Sequence, residues 1–192
     1  MIVGVDIDGV VADSLLAWIT ELNKYFGQQK RIEDVVSYQF DKVYNVTWDE
    51  MDYFFRQYQE VLLSNLAPVE HAPRALELLK EKHQLVLITA RPESFRTMTQ
   101  EWLQHHQIPY DDLMMTNYCD KADYCSQARV DIYIEDSLEN AQSIARTGIP
   151  VVLYDAPYNR NNKDGQLIRR FNWPEIYRTV HALDNFKRKT KV

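Results

Sequence analysis

Val3-Gly4-Val5-Asp6-Ile7-Asp8-Gly9-Val10-Val11-Ala12-Asp13 is the stretch whose reading decides the fold of this chain. An apolar, partly β-branched run begins beside Met1 and stops in two carboxylates one residue apart. That pattern predicts a short buried strand ending at a glycine turn. Open α/β sheets place ligands just beyond the carboxyl ends of their strands. With strict alternation, Asp6 and Asp8 fall on the same side of the chain. Two carboxylates that close repel each other unless something neutralises them, and a divalent cation does so. An all-oxygen set with no Cys or His nearby favours Mg²⁺ over zinc. An isolated Asp-x-Asp is more often a solvated turn, but later segments of this chain, in order, argue against that reading.

Working outward, strands and helices alternate. Candidate strands are Ile2–Val5, Leu85–Thr89, Leu113–Thr116, Ile132–Ile134 and Val151–Tyr154. Leu15, Ile19, Leu22 and Phe26 recur at helical spacing after Asp13, which is expected to cap that helix. Further helices are expected before Lys80-Glu81-Lys82, over Glu93–His106, and over Leu138–Arg146 closing at Gly148. A last amphipathic helix follows Trp173-Pro174-Glu175, with Ile176, Val180, Leu183 and Phe186 on its apolar side. Repeated strand–helix–strand units predict an α/β fold: a Rossmann-like parallel sheet with helices on both faces.

Residues 14–68 break the alternation. They are mostly helical and rich in aromatics, and Thr47-Trp48-Asp49-Glu50 is a capping-box start for one helix. The expectation is a small helical cap inserted after the first strand, on a core domain of residues 1–13 and 69–192. Most of the cap's aromatics are needed for its own core; the remainder are candidates to face a substrate. Asp155–Gly165 reads as a polar loop.

At 192 residues, 45% of them hydrophobic, the chain is long enough to bury a core without staples. A net charge of −6 argues against a stable nucleic-acid partner. The basic end Lys187-Arg188-Lys189-Thr190-Lys191 reads as a solvated terminus. Two cysteines, Cys119 and Cys125, match no zinc or redox spacing and are expected to be reduced and partly buried. No apolar run approaches membrane-spanning length and no signal segment precedes the first strand. The expectation is a soluble, cytoplasmic protein with no membrane partner, and a homo-oligomer is compatible with the sequence.

Four strand ends carry polar groups of distinct type. Asp6 and Asp8 close the first, Thr89-Ala90-Arg91-Pro92 the second, Lys121 follows the third, and Glu135-Asp136-Ser137 closes the fourth. In a parallel sheet these ends converge on one edge. The product is an acidic metal site with a hydroxyl, a lysine and helix N-termini around it, a set that suits phosphate chemistry.

This arrangement resembles the haloacid-dehalogenase-like superfamily of phosphohydrolases. The segment Asp6-Ile7-Asp8-Gly9-Val10-Val11-Ala12-Asp13 is most similar to its 5′(3′)-deoxyribonucleotidase branch. The resemblance implies a Mg²⁺-dependent phosphomonoesterase working through an aspartyl-phosphate. It implies Asp6 as nucleophile, Asp8 as general acid and then base, and Lys121 as the neutralising cation. Thr89, Ala90 and Arg91 would bind substrate. The metal would be held by Asp6, by Asp8 through its main-chain carbonyl, and by Asp136 and Glu135. The superfamily more often has Asp-Asp or Gly-Asp where this chain has Glu135-Asp136, which leaves open which carboxylate meets the metal. The expected partner is a small phosphorylated metabolite, a nucleoside monophosphate above others. A sugar phosphate, a 3′-phosphate, or a non-catalytic phosphate-binding role on the same scaffold are the alternatives. Retention of Asp8, a group with no use in mere binding, favours turnover.

Overall fold

Near-continuous apolar runs such as Leu85-Val86-Leu87-Ile88 are what strands buried on both faces require. The computed structural model, which describes residues 1–161 and 165–190, forms them into one sheet. Its strands are β1 (Ile2–Val5), β2 (Gln84–Thr89), β3 (Asp112–Met115), β4 (Ile132–Glu135), β5 (Val151–Tyr154) and β6 (Ile168–Arg170). They lie in the order β3-β2-β1-β4-β5-β6 and every neighbouring pair is parallel. The strand β6 is an addition to the expected five. Its Ile168-Arg169-Arg170 is too short and too polar to show a period, and pairing with Val152–Tyr154 is what makes it a strand.

Strand alternation divides the core in two. Val3, Val5, Leu85 and Leu87 face one side, where helices α4 (Ala72–Lys80), α5 (Arg96–His105) and α8 (Trp173–Thr190) cover them with Leu76, Leu79, Trp102, Ile176 and Val180. Val86, Ile88, Tyr133 and Leu153 face the other, under α6 (Lys121–Gln127) and α7 (Leu138–Arg146). Gly4 is required by this packing: a Cβ there would lie 2.4 Å from the buried Tyr133 ring, whose hydroxyl donates to the Ile88 carbonyl at 2.6 Å.

Between β1 and β2 lie α1 (Ser14–Phe26), α2 (Phe40–Tyr44) and α3 (Trp48–Ser64). They enclose a separate apolar cluster of Ile19, Leu22, Val35, Phe40, Tyr44, Met51, Phe54 and Leu62. The capping box forms, with the Thr47 and Glu50 side chains each taking the other's main-chain N–H. The chain enters and leaves this unit side by side, through Asp13 N–H to the Ala67 carbonyl and Val69 N–H to the Val11 carbonyl, both at 2.8 Å.

Several expectations are corrected. Asp13 stands at the start of α1, but its side chain makes no capping hydrogen bond. Phe186 is 65% exposed, because α8 continues past its last buried position, Asp184. Of the two free cysteines, Cys125 is buried and Cys119 is exposed. Asn162, Lys163 and Asp164 of the polar loop and Lys191 of the basic end lie outside the described residues. Among the described residues no helix is long and apolar enough to cross a membrane.

Candidate active site

The sheet order makes β1 central, between β2 and β4, and successive crossovers leave it in opposite directions. This is the switch point at which α/β sheets open a crevice. Asp6 follows the last residue of β1, with its N–H donated to the Ile134 carbonyl at 3.0 Å. The chain then leaves strand geometry. The N–H groups of Val11 and Ala12 both converge on the Ile7 carbonyl at 2.8 Å, a tight loop that ends the alternation. Asp6 and Asp8 take different partners, Lys121 and Arg91.

Asp6 turns inward. It is 5% exposed and its Oδ1 lies 2.7 Å from Lys121 Nζ. Lys121 opens α6, where Asp120 caps the helix through Ala122 N–H, and its ammonium is buried to 1% exposure. The same Nζ meets Glu135 Oε2 at 2.9 Å. Glu135 Oε1 accepts the N–H groups of Asp136 and Ser137 at 3.1 and 3.0 Å. Asp136 holds the Tyr158 hydroxyl on its Oδ2. Its carbonyl accepts from Asn159 Nδ2 at 2.7 Å, and Arg169 locks that amide by donating to Asn159 Oδ1 at 2.6 Å.

One ligand oxygen from each of Asp6, Glu135 and Asp136 lies within 4.8 Å of the others, and all three residues are buried. Three carboxylates thus face a single ammonium. Burial, joined by the charge of Glu135, pushes Asp6 well above the usual carboxylate range. Burial and then Asp6 push Asp136 up to about 6. Burial by itself would lower Lys121, but Asp6 and Glu135 outweigh it and hold the ammonium charged. A hard-oxygen cluster with uncompensated negative charge fits a divalent cation such as Mg²⁺.

Asp8 sits outside that cluster. Its Oδ2 and Oδ1 accept from Arg91 Nε and Nη2, both at 2.8 Å, and Arg91 Nη1 is anchored on Thr99 Oγ1 at 3.1 Å. Arg91 is thereby assigned to an acidic neighbour. Thr89, at 1% exposure, accepts the Arg91 N–H on its hydroxyl at 3.3 Å. The carbonyl of Ala90 accepts Tyr118 N–H at 2.9 Å. Gly9 closes the loop with φ +80°, and a Cβ there would fall 2.0 Å from Asp136 Oδ2.

Tyr158, Asn159, Tyr118 and Gln59 also border this site and were not singled out by the sequence, whereas Tyr38 is one of the aromatics of the insertion. Tyr38, from the inserted unit, packs edge-on to Tyr158 with centroids 5.2 Å apart. The ring of Tyr38 is half exposed, yet burial of its hydroxyl and the charge of Asp136 push its phenol well above the ordinary value. Gln59 Nε2 donates to the Tyr118 hydroxyl. Apart from Gln59 of α3, these residues lie outside the long helices and the strands, and their only sequence signal was position after the fifth strand, after the third strand, or in the aromatic-rich insertion.

Comparison with known proteins gives the family and the fold. A family model described as 5′ nucleotidase, deoxy (Pyrimidine), cytosolic type C protein matches residues 1–185. A nucleotidase of Clostridium acetobutylicum is 30% identical over 179 residues, 93% of this chain and 93% of that protein. A 5′(3′)-deoxyribonucleotidase of Bacillus subtilis is 28% identical over 184 residues, 93% of this chain and 98% of that protein. Among solved structures, a haloacid dehalogenase-like hydrolase from Streptococcus pneumoniae superposes with a TM-score of 0.68 at 15% identity, covering 93% of this chain and 97% of that one. At that identity the likeness concerns the fold.

Proposed function

The chain belongs to the 5′ nucleotidase, deoxy (Pyrimidine), cytosolic type C family, haloacid-dehalogenase-type nucleotidases, and from that premise we infer that it removes phosphate from a nucleoside monophosphate at Asp6. The observation that carries this reading is the buried Asp6–Lys121–Glu135–Asp136 cluster, with Asp8 paired to Arg91.

Lys121 and the Ile7 N–H both hold Asp6 Oδ1, at 2.7 Å each, and so fix the carboxylate that forms the bond to phosphorus. As that bond forms, the ester P–O bond breaks and the departing alkoxide takes a proton from Asp8. Asp8 then takes a proton from water as the water oxygen attacks phosphorus. That step releases inorganic phosphate and restores the Asp6 carboxylate. Thr89 accepts from the Arg91 N–H and keeps its own hydroxyl proton for a phosphoryl oxygen. Lys121 screens Asp6 from the incoming anion. Glu135 is already engaged by Lys121 and two main-chain N–H groups, so we assign Mg²⁺ to Asp6 and Asp136, with the Asp8 carbonyl beside them and Glu135 supporting from behind. When bound, Mg²⁺ supplies positive charge that offsets the phosphoryl oxygens. Residues 14–68 act as the cap that borders the nucleoside, and the chain works in the cytosol on a small metabolite.

The test is phosphate release, with Mg²⁺ and with EDTA, across deoxy- and ribonucleoside 5′- and 3′-monophosphates and sugar phosphates. Mg²⁺-dependent release from nucleotides is expected. Activity confined to other phosphates would overturn the substrate, and no release from any of them would overturn the enzyme reading.

A further inference from the structure

The loop between β3 and α6 carries two consecutive non-glycine residues with left-handed backbone, Asn117 at φ 53° and Tyr118 at φ 64°. Residues with bulky side chains disfavour that region and stay there only where their surroundings hold them. Here the surroundings do. The Tyr118 N–H donates to the Ala90 carbonyl at 2.9 Å, the Cys119 N–H to the Thr116 carbonyl at 3.0 Å, and Asn117 Oδ1 accepts the Glu93 N–H at 2.7 Å.

What this conformation produces is an aromatic ring that stability does not need. Tyr118 is 69% exposed and belongs to none of the three apolar clusters. Its hydroxyl meets Gln59 of α3 and so spans from the sheet domain to the inserted helices. Its main chain is tied to Ala90, between Thr89 and Arg91, and Arg91 grips Asp8. Burial and the charge of Asp8 raise the Tyr118 phenol, against the hydrogen bond from Gln59, which lowers it. The tie to Ala90 therefore sets the Tyr118 loop beside Arg91, the partner of Asp8.

The leaving oxygen takes its proton from Asp8, so the nucleoside departs on the Asp8 side. We propose that Tyr118 is a specificity-determining residue, its ring contacting the nucleoside of the substrate while Gln59 holds its hydroxyl across the mouth of the crevice. This rests on the nucleotide reading above and deepens it.

The test compares kcat/KM for a deoxynucleoside 5′-monophosphate with that for acetyl phosphate, whose leaving group has neither sugar nor base. In Tyr118→Ala the ratio of the two should fall about five- to hundred-fold, the range of one aromatic–base contact. Tyr118→Phe keeps the ring and should retain most of the ratio. A ratio in Tyr118→Ala that stays within about two-fold of wild type, including equal losses on both substrates, would overturn the proposal. If wild type consumes acetyl phosphate but no nucleotide, the substrate reading itself fails, and this inference fails with it. Nucleotide turnover with an unchanged ratio sinks the Tyr118 assignment alone.

Discussion

Arg91 holds both carboxylate oxygens of Asp8 at 2.8 Å, across 83 residues of chain, with its guanidinium side chain only 2% exposed. Such a fork is the geometry in which arginine and lysine are not interchangeable. It fixes the Asp8 carboxylate in one orientation.

Removing the fork leaves a charge near the interior without its partner. Arg91→Met should destabilise the protein by about 3–5 kcal/mol, the usual consequence of breaking a buried pair. Arg91→Lys keeps the charge but loses the bidentate grip, and should lower kcat by more than it lowers stability. Urea unfolding and steady-state kinetics on the same preparations check both. A lysine variant with wild-type kcat would remove Arg91 from the positioning of Asp8.

Asp6→Asn preserves shape and removes the nucleophilic charge. Phosphate release should fall at least about 1,000-fold while the fold persists, because the covalent route is lost rather than slowed. Circular dichroism establishes the fold and a phosphate assay the loss. Activity above a tenth of wild type would contradict a phosphoryl group carried on Asp6.

The acidic cluster also predicts a linked response to pH and metal. Burial and Asp6 push Asp136 up to about 6. A carboxyl whose folded pKa is raised binds more protons in the native than in the unfolded state. Its contribution is therefore favourable at acid pH and is lost as pH rises through about 6. Magnesium requires the same oxygens ionised. The rise in Tm on adding Mg²⁺ to EDTA-treated protein should therefore be small at pH 5 and grow as pH passes 6. Thermal melts over that range, with and without Mg²⁺, measure it; an equal rise at every pH would argue that the ion binds elsewhere.

Gly9 is constrained twice over, by its φ of +80° and by the 2.0 Å that would separate a Cβ at this position from Asp136 Oδ2. Gly9→Ala should cost about 1–3 kcal/mol in stability. It should also displace Asp136, weakening magnesium binding in a titration followed by Tm. A variant with unchanged magnesium response would show that Asp136 moves without consequence.

Much of this architecture was legible in the residues. Leu85–Ile88 and Ile132–Ile134 are apolar on both faces, which only a covered parallel sheet accommodates, and Thr47–Glu50 announced its helix. The short β6 was not legible, since Ile168-Arg169-Arg170 is a strand by virtue of its neighbour. Nor was the outward-facing Phe186, whose helical spacing is correct but whose helix outruns the buried surface.

The candidate site divides in the same way. The order of strands and helices is local chemistry, and a parallel sheet gathers its strand ends, so the convergence of Asp6, Lys121 and Glu135-Asp136 followed from sequence. Which side chain meets which did not. After the turn at Ile7, Asp6 meets Lys121 and Asp8 meets Arg91, while segments without period bring Tyr158 to Asp136 and Tyr118 to Gln59. Periodicity is a property of short segments, whereas those pairings join residues far apart in the chain, Asp8 and Arg91 across 83 residues and Asp6 and Lys121 across still more, and only the folded chain decides them.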